Sequence, residues 1–201
     1  IMDVLGSTKF PVDASVGEVK ALMLDENSRP QPVLELIDAF EALDQPRVNL
    51  VEIYHDALQA VEEAMSLFNL GYMSLPMRSA TERLFWAVGQ RVLTAASKKG
   101  DLPDDLIDLP RVLSDIYYVN FSIFQSLPDH WAIDQSFPII PIDRLDEKPE
   151  RRAVLVDLTC DSDGKVSHYI SAQDDKSFLP VHSLEEGRPY YLGFFLMGAY
   201  Q

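Results

Sequence analysis

Cys160 is the residue with the clearest chemical potential in the sequence. It is the one cysteine among 201 residues. It follows an apolar, strand-like run, Ala153 to Thr159, and leads into Asp161-Ser-Asp-Gly164, a polar turn. A thiol placed where a strand gives way to a loop can face a site. A lone cysteine beside a β run is, however, more commonly a small buried hydrophobe. The neighbouring carboxylates sharpen the choice, because negative charge holds a thiol protonated and suits it to donating a proton rather than attacking as a thiolate. Acid catalysis is therefore favoured over cysteine-protease chemistry. Asp161 and Asp163 also have an ordinary reading as turn formers.

Other chemistries find less support. No two of His55, His130, His168 and His182 have the i, i+4 spacing of a helical zinc motif. If Asp161 opened a calcium loop, its fifth, sixth and twelfth positions would be Lys165, Val166 and Ala172. Calcium needs oxygen ligands and a glycine bend there, so that reading fails. There is no glycine-rich phosphate loop followed by Lys-Ser or Lys-Thr, and no dinucleotide fingerprint.

The elements that must position Cys160 follow from composition and periodicity. At 47% hydrophobic, the chain has enough apolar material for a core. Seventeen Lys and Arg against 32 Asp and Glu give a net charge of −15, which disfavours nucleic acid and anionic membrane as partners. A single cysteine excludes an internal disulfide and fits a reducing, cytoplasmic setting. No apolar stretch approaches the roughly 20 residues that span a bilayer. The chain opens on Ile1, Met2, Val4 and Leu5 and closes on Tyr190-Tyr-Leu-Gly-Phe-Phe-Leu-Met-Gly-Ala-Tyr200. Such apolar ends lead us to expect a piece of a longer polypeptide.

Residues 1–32 read as a strand followed by a connector rich in Pro, Gly, Asn and Ser. From Val33 the period becomes helical. Leu34, Ile37, Phe40 and Leu43 share one face, as do Leu50, Ile53, Tyr54, Ala57, Leu58, Val61, Met65 and Phe68. A third helix is expected from a cap at Ser74 to Lys98, and a fourth, shorter one around Val112, Leu113 and Ile116. Residues 33–116 thus predict an antiparallel helical bundle. Residues 117–201 break into short β runs at 117–124, 153–159, 166–170, 178–181 and 190–197. With Ile1 to Leu5 these make about six strands. The expected fold is α+β, a helical bundle inserted into a β-sandwich or barrel-like domain.

Four segments, read together, carry a resemblance. They are Tyr118-Val-Asn-Phe-Ser-Ile-Phe-Gln-Ser-Leu-Pro-Asp-His-Trp-Ala-Ile-Asp-Gln135, Pro149-Glu-Arg-Arg-Ala-Val-Leu155, Thr159-Cys-Asp-Ser-Asp-Gly164 and Tyr191-Leu-Gly-Phe-Phe-Leu-Met-Gly-Ala-Tyr-Gln201. In this order they resemble the biosynthetic arginine decarboxylases. Gly71-Tyr72 and Glu82-Arg83-Leu84-Phe85 resemble that family's inserted bundle more loosely.

The resemblance implies a pyridoxal-phosphate enzyme that converts L-arginine to agmatine and CO2 in polyamine (putrescine and spermidine) biosynthesis. It also implies that the α/β barrel bearing the cofactor lysine is absent from this chain, so the chain alone should be inactive. Cys160 matches the acid that protonates the former α-carbon, Asp161 the carboxylate that meets the substrate's cationic end, and Tyr200 the tyrosine that contacts the cofactor phosphate. In related ornithine enzymes the Cys-Asp pair crosses a dimer interface, so a homodimer or homotetramer is implied. Magnesium is associated with the family, but no cluster here identifies its ligands. Where ornithine decarboxylases have Tyr-Val-Asn-Asp-Gly, this chain has Tyr118-Val-Asn-Phe121-Ser122. The anion for the longer guanidinium must then lie elsewhere, and Asp134 is a candidate. The alternative expectation is a non-catalytic helical module for interaction or oligomerisation.

Overall fold

The structure is a computed structural model that describes residues 1–9, 15–98, 100, 102–158, 164–166, 168–170 and 176–198. It divides into two compact units, one of Ile1–Lys9 with Pro110–Gln201 and one of Phe10–Leu109.

The helical unit contains α1 (Val16–Asp25), α2 (Gln31–Ala42), α3 (Leu50–Asn69), α4 (Leu75–Ser97) and a 3-10 turn at Asp104–Leu106. Each long helix starts on a residue suited to the task. Asn49 accepts from the amides of Val51 and Glu52, and Ser74 accepts from Met77. These side chains satisfy donors that the first turn leaves without a helical partner. α3 packs against both α2 and α4, and α1 packs against α4. Val33, Leu36, Ala57, Ala60, Met77, Ala80, Leu84, Val88 and Val92 form a fully buried core between them.

Two expectations are corrected here. The stretch read as a connector contains α1, capped by Ser15 and burying Val19 and Met23. α2 also begins at Gln31, with Pro32 in its first turn, where the missing N–H has no partner to lose. In α2 the buried face is Val33, Leu36, Ile37 and Ala39 rather than one centred on Leu34 and Phe40. Both sets satisfy a 3.6 period, and the neighbouring helices select between them. Phe40 lies at the edge, where the Arg91 guanidinium sits 4.6 Å from its ring centroid.

α5 (Leu109–Val112) ends where a longer fourth helix was expected, because Ile116 already belongs to a strand. The β unit holds β1 (Met2–Thr8), β2 (Asp115–Val119), α6 (Ile123–Ser126), α7 (Pro128–Ala132), β3 (Ile139–Pro141), β4 (Arg151–Asp157), β5 (Lys165–Val166), β6 (Leu179–Val181) and β7 (Tyr191–Phe194). Together the strands form one sheet in the order β3-β7-β1-β2-β4-β5, with β6 also on β4. The sheet curls as a half-barrel, the barrel-like form of the expected β domain, and the fold is α+β. The run expected at 117–124 stops at Val119, because Ser122 caps α6 by accepting from Gln125. β3 was not expected. Pro138 precedes it and Pro141 ends it, and proline is tolerated at the sheet edge that it occupies.

Alternation along β1, β2 and β4 sends Met2, Val4, Tyr117, Val119, Ala153 and Leu155 into one core with Val166, Tyr169, Val181 and Leu192. The polar groups in this core are matched. Tyr117 Oη donates to the His182 carbonyl at 2.8 Å, and the His182 amide donates to Tyr190 Oη at 2.9 Å. Asp115, 3% exposed, accepts two bonds from Arg151, at 2.7 and 2.8 Å.

Two outcomes follow. Asp115→Ala strands Arg151, whose side chain is 34% exposed, and should cost about 2–3 kcal/mol in urea denaturation, below the range for a fully buried pair. Burial holds the hydroxyl of Tyr190 up at about 12 and those of Tyr117 and Tyr169 higher still. In the unfolded chain all three ionise near 10. The folded chain therefore keeps protons that the unfolded chain loses. Stability should be intact below pH 10 and fall as pH rises through 12, by about 1.4 kcal/mol per pH unit for each tyrosine. Alkaline titration followed by tyrosinate absorbance and circular dichroism checks this.

Candidate active site

Strand direction decides what shares an edge of the sheet. β1 pairs antiparallel with both β2 and β7, and β2 pairs parallel with β4. β2, β4 and β7 therefore run the same way, and their carboxyl ends leave from one edge. The described residues beyond those ends are Asn120-Phe121-Ser122, Leu158 and Phe195 to Gly198. Cys160, Asp161 and Tyr200 lie outside the described residues.

The turn after β2 is held from three neighbouring strands. The Asn120 amide donates to the Asp3 carbonyl, and the Asp3 amide donates to Asn120 Oδ1, both at 3.1 Å. The Phe121 ring meets Phe194 edge-on, with centroids 5.4 Å apart. Phe194 belongs to β7, two places from β2 in the sheet, so this contact ties the turn to a strand that does not pair with β2. From β4, Asp157 Oδ2 accepts from the Ile123 amide at 2.8 Å. Asp157 is 8% exposed and continues the inward face of Ala153 and Leu155.

Asp157 also governs the return of the chain at Gly164. Its amide donates to the Gly164 carbonyl at 3.0 Å, and a Cβ on Gly164 would fall 2.2 Å from Asp157 Oδ2. Only glycine fits beside the carboxylate in this arrangement.

The sequence of the whole chain matches known proteins closely. Residues 26–109 match the family model described as the arginine decarboxylase helical bundle domain. The biosynthetic arginine decarboxylase of Thermosynechococcus vestitus is 53% identical over 169 residues, covering 84% of this chain and 26% of that protein. Biosynthetic arginine decarboxylase 2 of Synechocystis is 45% identical over 202 residues, covering 100% of this chain and 29% of that protein. The crystal structure of the biosynthetic arginine decarboxylase of Campylobacter jejuni superimposes over 100% of this chain, with a TM-score of 0.70 and 34% identity, and 29% of its own chain is covered.

The chain belongs to the biosynthetic arginine decarboxylase family.

It spans between 22 and 29% of the length of its curated relatives. No α/β barrel occurs among the described residues, as expected for this segment of the family. Asp134 is exposed, in the left-handed region at φ 57°, just beyond α7. No hydrogen bond or ion pair joins it to the 120–123 turn. Phe124 and Trp131, also in this region of the chain, stack at 4.2 Å, with Trp131 Nε1 donating to the Phe124 carbonyl.

A cavity beside Arg144, Ser183 and Tyr190 is about 10 Å3, too small for a pyridine cofactor. Among the described residues, no group of three His, Cys, Asp or Glu is placed to hold a metal ion. No helix among them is long and apolar enough to cross a membrane.

Sequence reasoning passed over Asp157 and Asn120. The signal for Asp157 was a carboxylate at an inward position of the Ala153-Val-Leu-Val-Asp157 alternation. Gly164→Ala should displace the Asp157 carboxylate, raising amide exchange at Ile123 and lowering the melting temperature by several degrees. Hydrogen exchange with mass spectrometry and a thermal melt measure both.

Proposed function

We propose that this chain is part of a pyridoxal-phosphate-dependent enzyme that converts L-arginine to agmatine and CO2, feeding polyamine synthesis in the cytoplasm. The common edge reached by β2, β4 and β7 carries the reading. The described residues Asn120, Leu158 and Phe195, which lie in or lead into the segments that most resemble the family's site, leave the sheet there. Bound pyridoxal phosphate supplies the electron withdrawal that lets CO2 depart.

In this reading, Cys160 donates the proton that the former α-carbon then needs, and the acidic residues beside it keep the thiol protonated for that purpose. Asp161 accepts paired hydrogen bonds from the guanidinium, a planar fork matched to a carboxylate. Asp134 is a further candidate guanidinium partner, and the Tyr200 hydroxyl contacts the cofactor phosphate. Phe121 and Ser122 stand where ornithine enzymes have an acidic residue, which favours the longer substrate. The reading includes the family's barrel domain as partner within the longer protein, a homodimer or homotetramer with Cys160 serving the neighbouring subunit, and the family's association with magnesium.

The helical unit's separate core supports a second role, in fixing the oligomer. Deleting residues 10–109 from the longer protein should change its state in analytical ultracentrifugation. An unchanged oligomer removes that role.

CO2 release from arginine, ornithine and lysine by the full-length protein tests the main reading. Arginine should be the preferred substrate, with activity dependent on pyridoxal phosphate. Cys160→Ala should slow agmatine formation by about 10²-fold or divert turnover to transamination products. Preference for ornithine or lysine overturns the substrate assignment, and an unaltered rate and product remove Cys160 from the mechanism.

A further inference from the structure

Asp157 is a carboxylate on the inward face of a strand, buried beside Leu155 and Ala153. Burying such a group costs free energy unless hydrogen bonds compensate, so its placement calls for a reason beyond packing. A leucine would fill an inward strand end as well. What leucine could not do is accept from the Ile123 amide, the first residue of α6 and the last of the 120–123 turn. That amide has no acceptor within its own short helix. β4 thus holds one end of the turn, while β1 holds the other through the paired Asn120 and Asp3 bonds. Phe121 lies between these anchors against Phe194 of β7.

We propose that Asp157 is a positioning residue that determines substrate specificity. Its bond to Ile123 sets where Phe121 and Ser122 stand, and so how much length the site leaves for the substrate's cationic end. The inference rests on the arginine decarboxylase reading. It adds to it a residue that acts through the 120–123 turn. Asp157 acts on the turn at its side-chain oxygen, and the proton it engages stays on the Ile123 amide throughout. Freed of that bond, the turn should shift by an amount comparable to a hydrogen-bond length. Displacements of about 1 Å can cost up to 10²-fold in rate.

The test uses the full-length protein with Asp157→Ala and Asp157→Asn. Asparagine is isosteric and retains a carbonyl acceptor for Ile123, whereas alanine cannot reach it. For Asp157→Ala, amide exchange at residues 120–127 should accelerate at least tenfold. The KM for arginine should rise about tenfold with kcat within about threefold, so that the arginine-to-ornithine ratio of kcat/KM falls. Asp157→Asn should restore most of both. A uniform loss of kcat on every substrate with unchanged KM values overturns the proposal, as does faster exchange at an unaltered substrate ratio.

If Asp157→Ala does not fold, Asp157→Leu, which fills the inward position without an acceptor, takes its place: exchange at Ile123 and the KM for arginine must rise together, and movement of one without the other overturns the proposal. Failure of the underlying reading is separate. It shows as absence of arginine decarboxylation by the unsubstituted protein, while the exchange measurement still reports whether Asp157 holds the turn.

Discussion

The pairing of β1 with both β2 and β7 is the constraint on which the β unit depends. Residues 2–8 lie more than 100 positions from their partners, yet they form a central strand with a hydrogen-bonded neighbour on each side. Closing so long a loop costs only slightly more entropy than closing a short one, because the cost grows with the logarithm of length. This is why a helical unit of Phe10–Leu109 can occupy the interval. The central position also fixes direction. Two strands antiparallel to β1 must be parallel to each other, and the parallel β2–β4 ladder extends the rule to β4. One register therefore brings three strand ends to a single edge.

Hydrogen bonds to side chains then give that edge its shape. Backbone groups at strand ends have no ladder partner and must find one elsewhere. Here Asn120 serves β1, and Asp157 serves the turn that opens α6. Deeper in the sheet, Tyr117, Tyr190 and His182 satisfy one another's polar atoms, and Arg151 answers the buried Asp115. No buried side-chain nitrogen or oxygen among the described residues lacks a hydrogen-bond partner. The bonds are directional, so they select one curl of the sheet where apolar packing alone would accept several.

On the proposed reading, charge and shape divide the work. A chain carrying −15 overall suits a substrate with a cationic side chain, and acidic neighbours suit a thiol that must remain protonated. Length discrimination falls instead to a turn without an acidic side chain, held from behind by a buried carboxylate.

Residue patterns alone determined the broad division of this protein. The helical period of residues 33–98, the cap at Ser74 and the β runs near 153–159 and 190–197 are local properties, governed by side-chain spacing and by the first few amides of each helix. The ordered motifs that carry the family resemblance were also legible, because each is a short contiguous segment. Tertiary structure decided the rest. α1 was hidden behind residues that act as breakers when isolated, and the buried face of α2 was chosen by its neighbours. β3 exists only because an edge strand tolerates prolines. The pairing of Asp157 with Ile123 joins residues 34 positions apart, and no local propensity encodes it. It arises because β2 and β4 lie side by side and in parallel, an outcome of the whole sheet's hydrogen bonding.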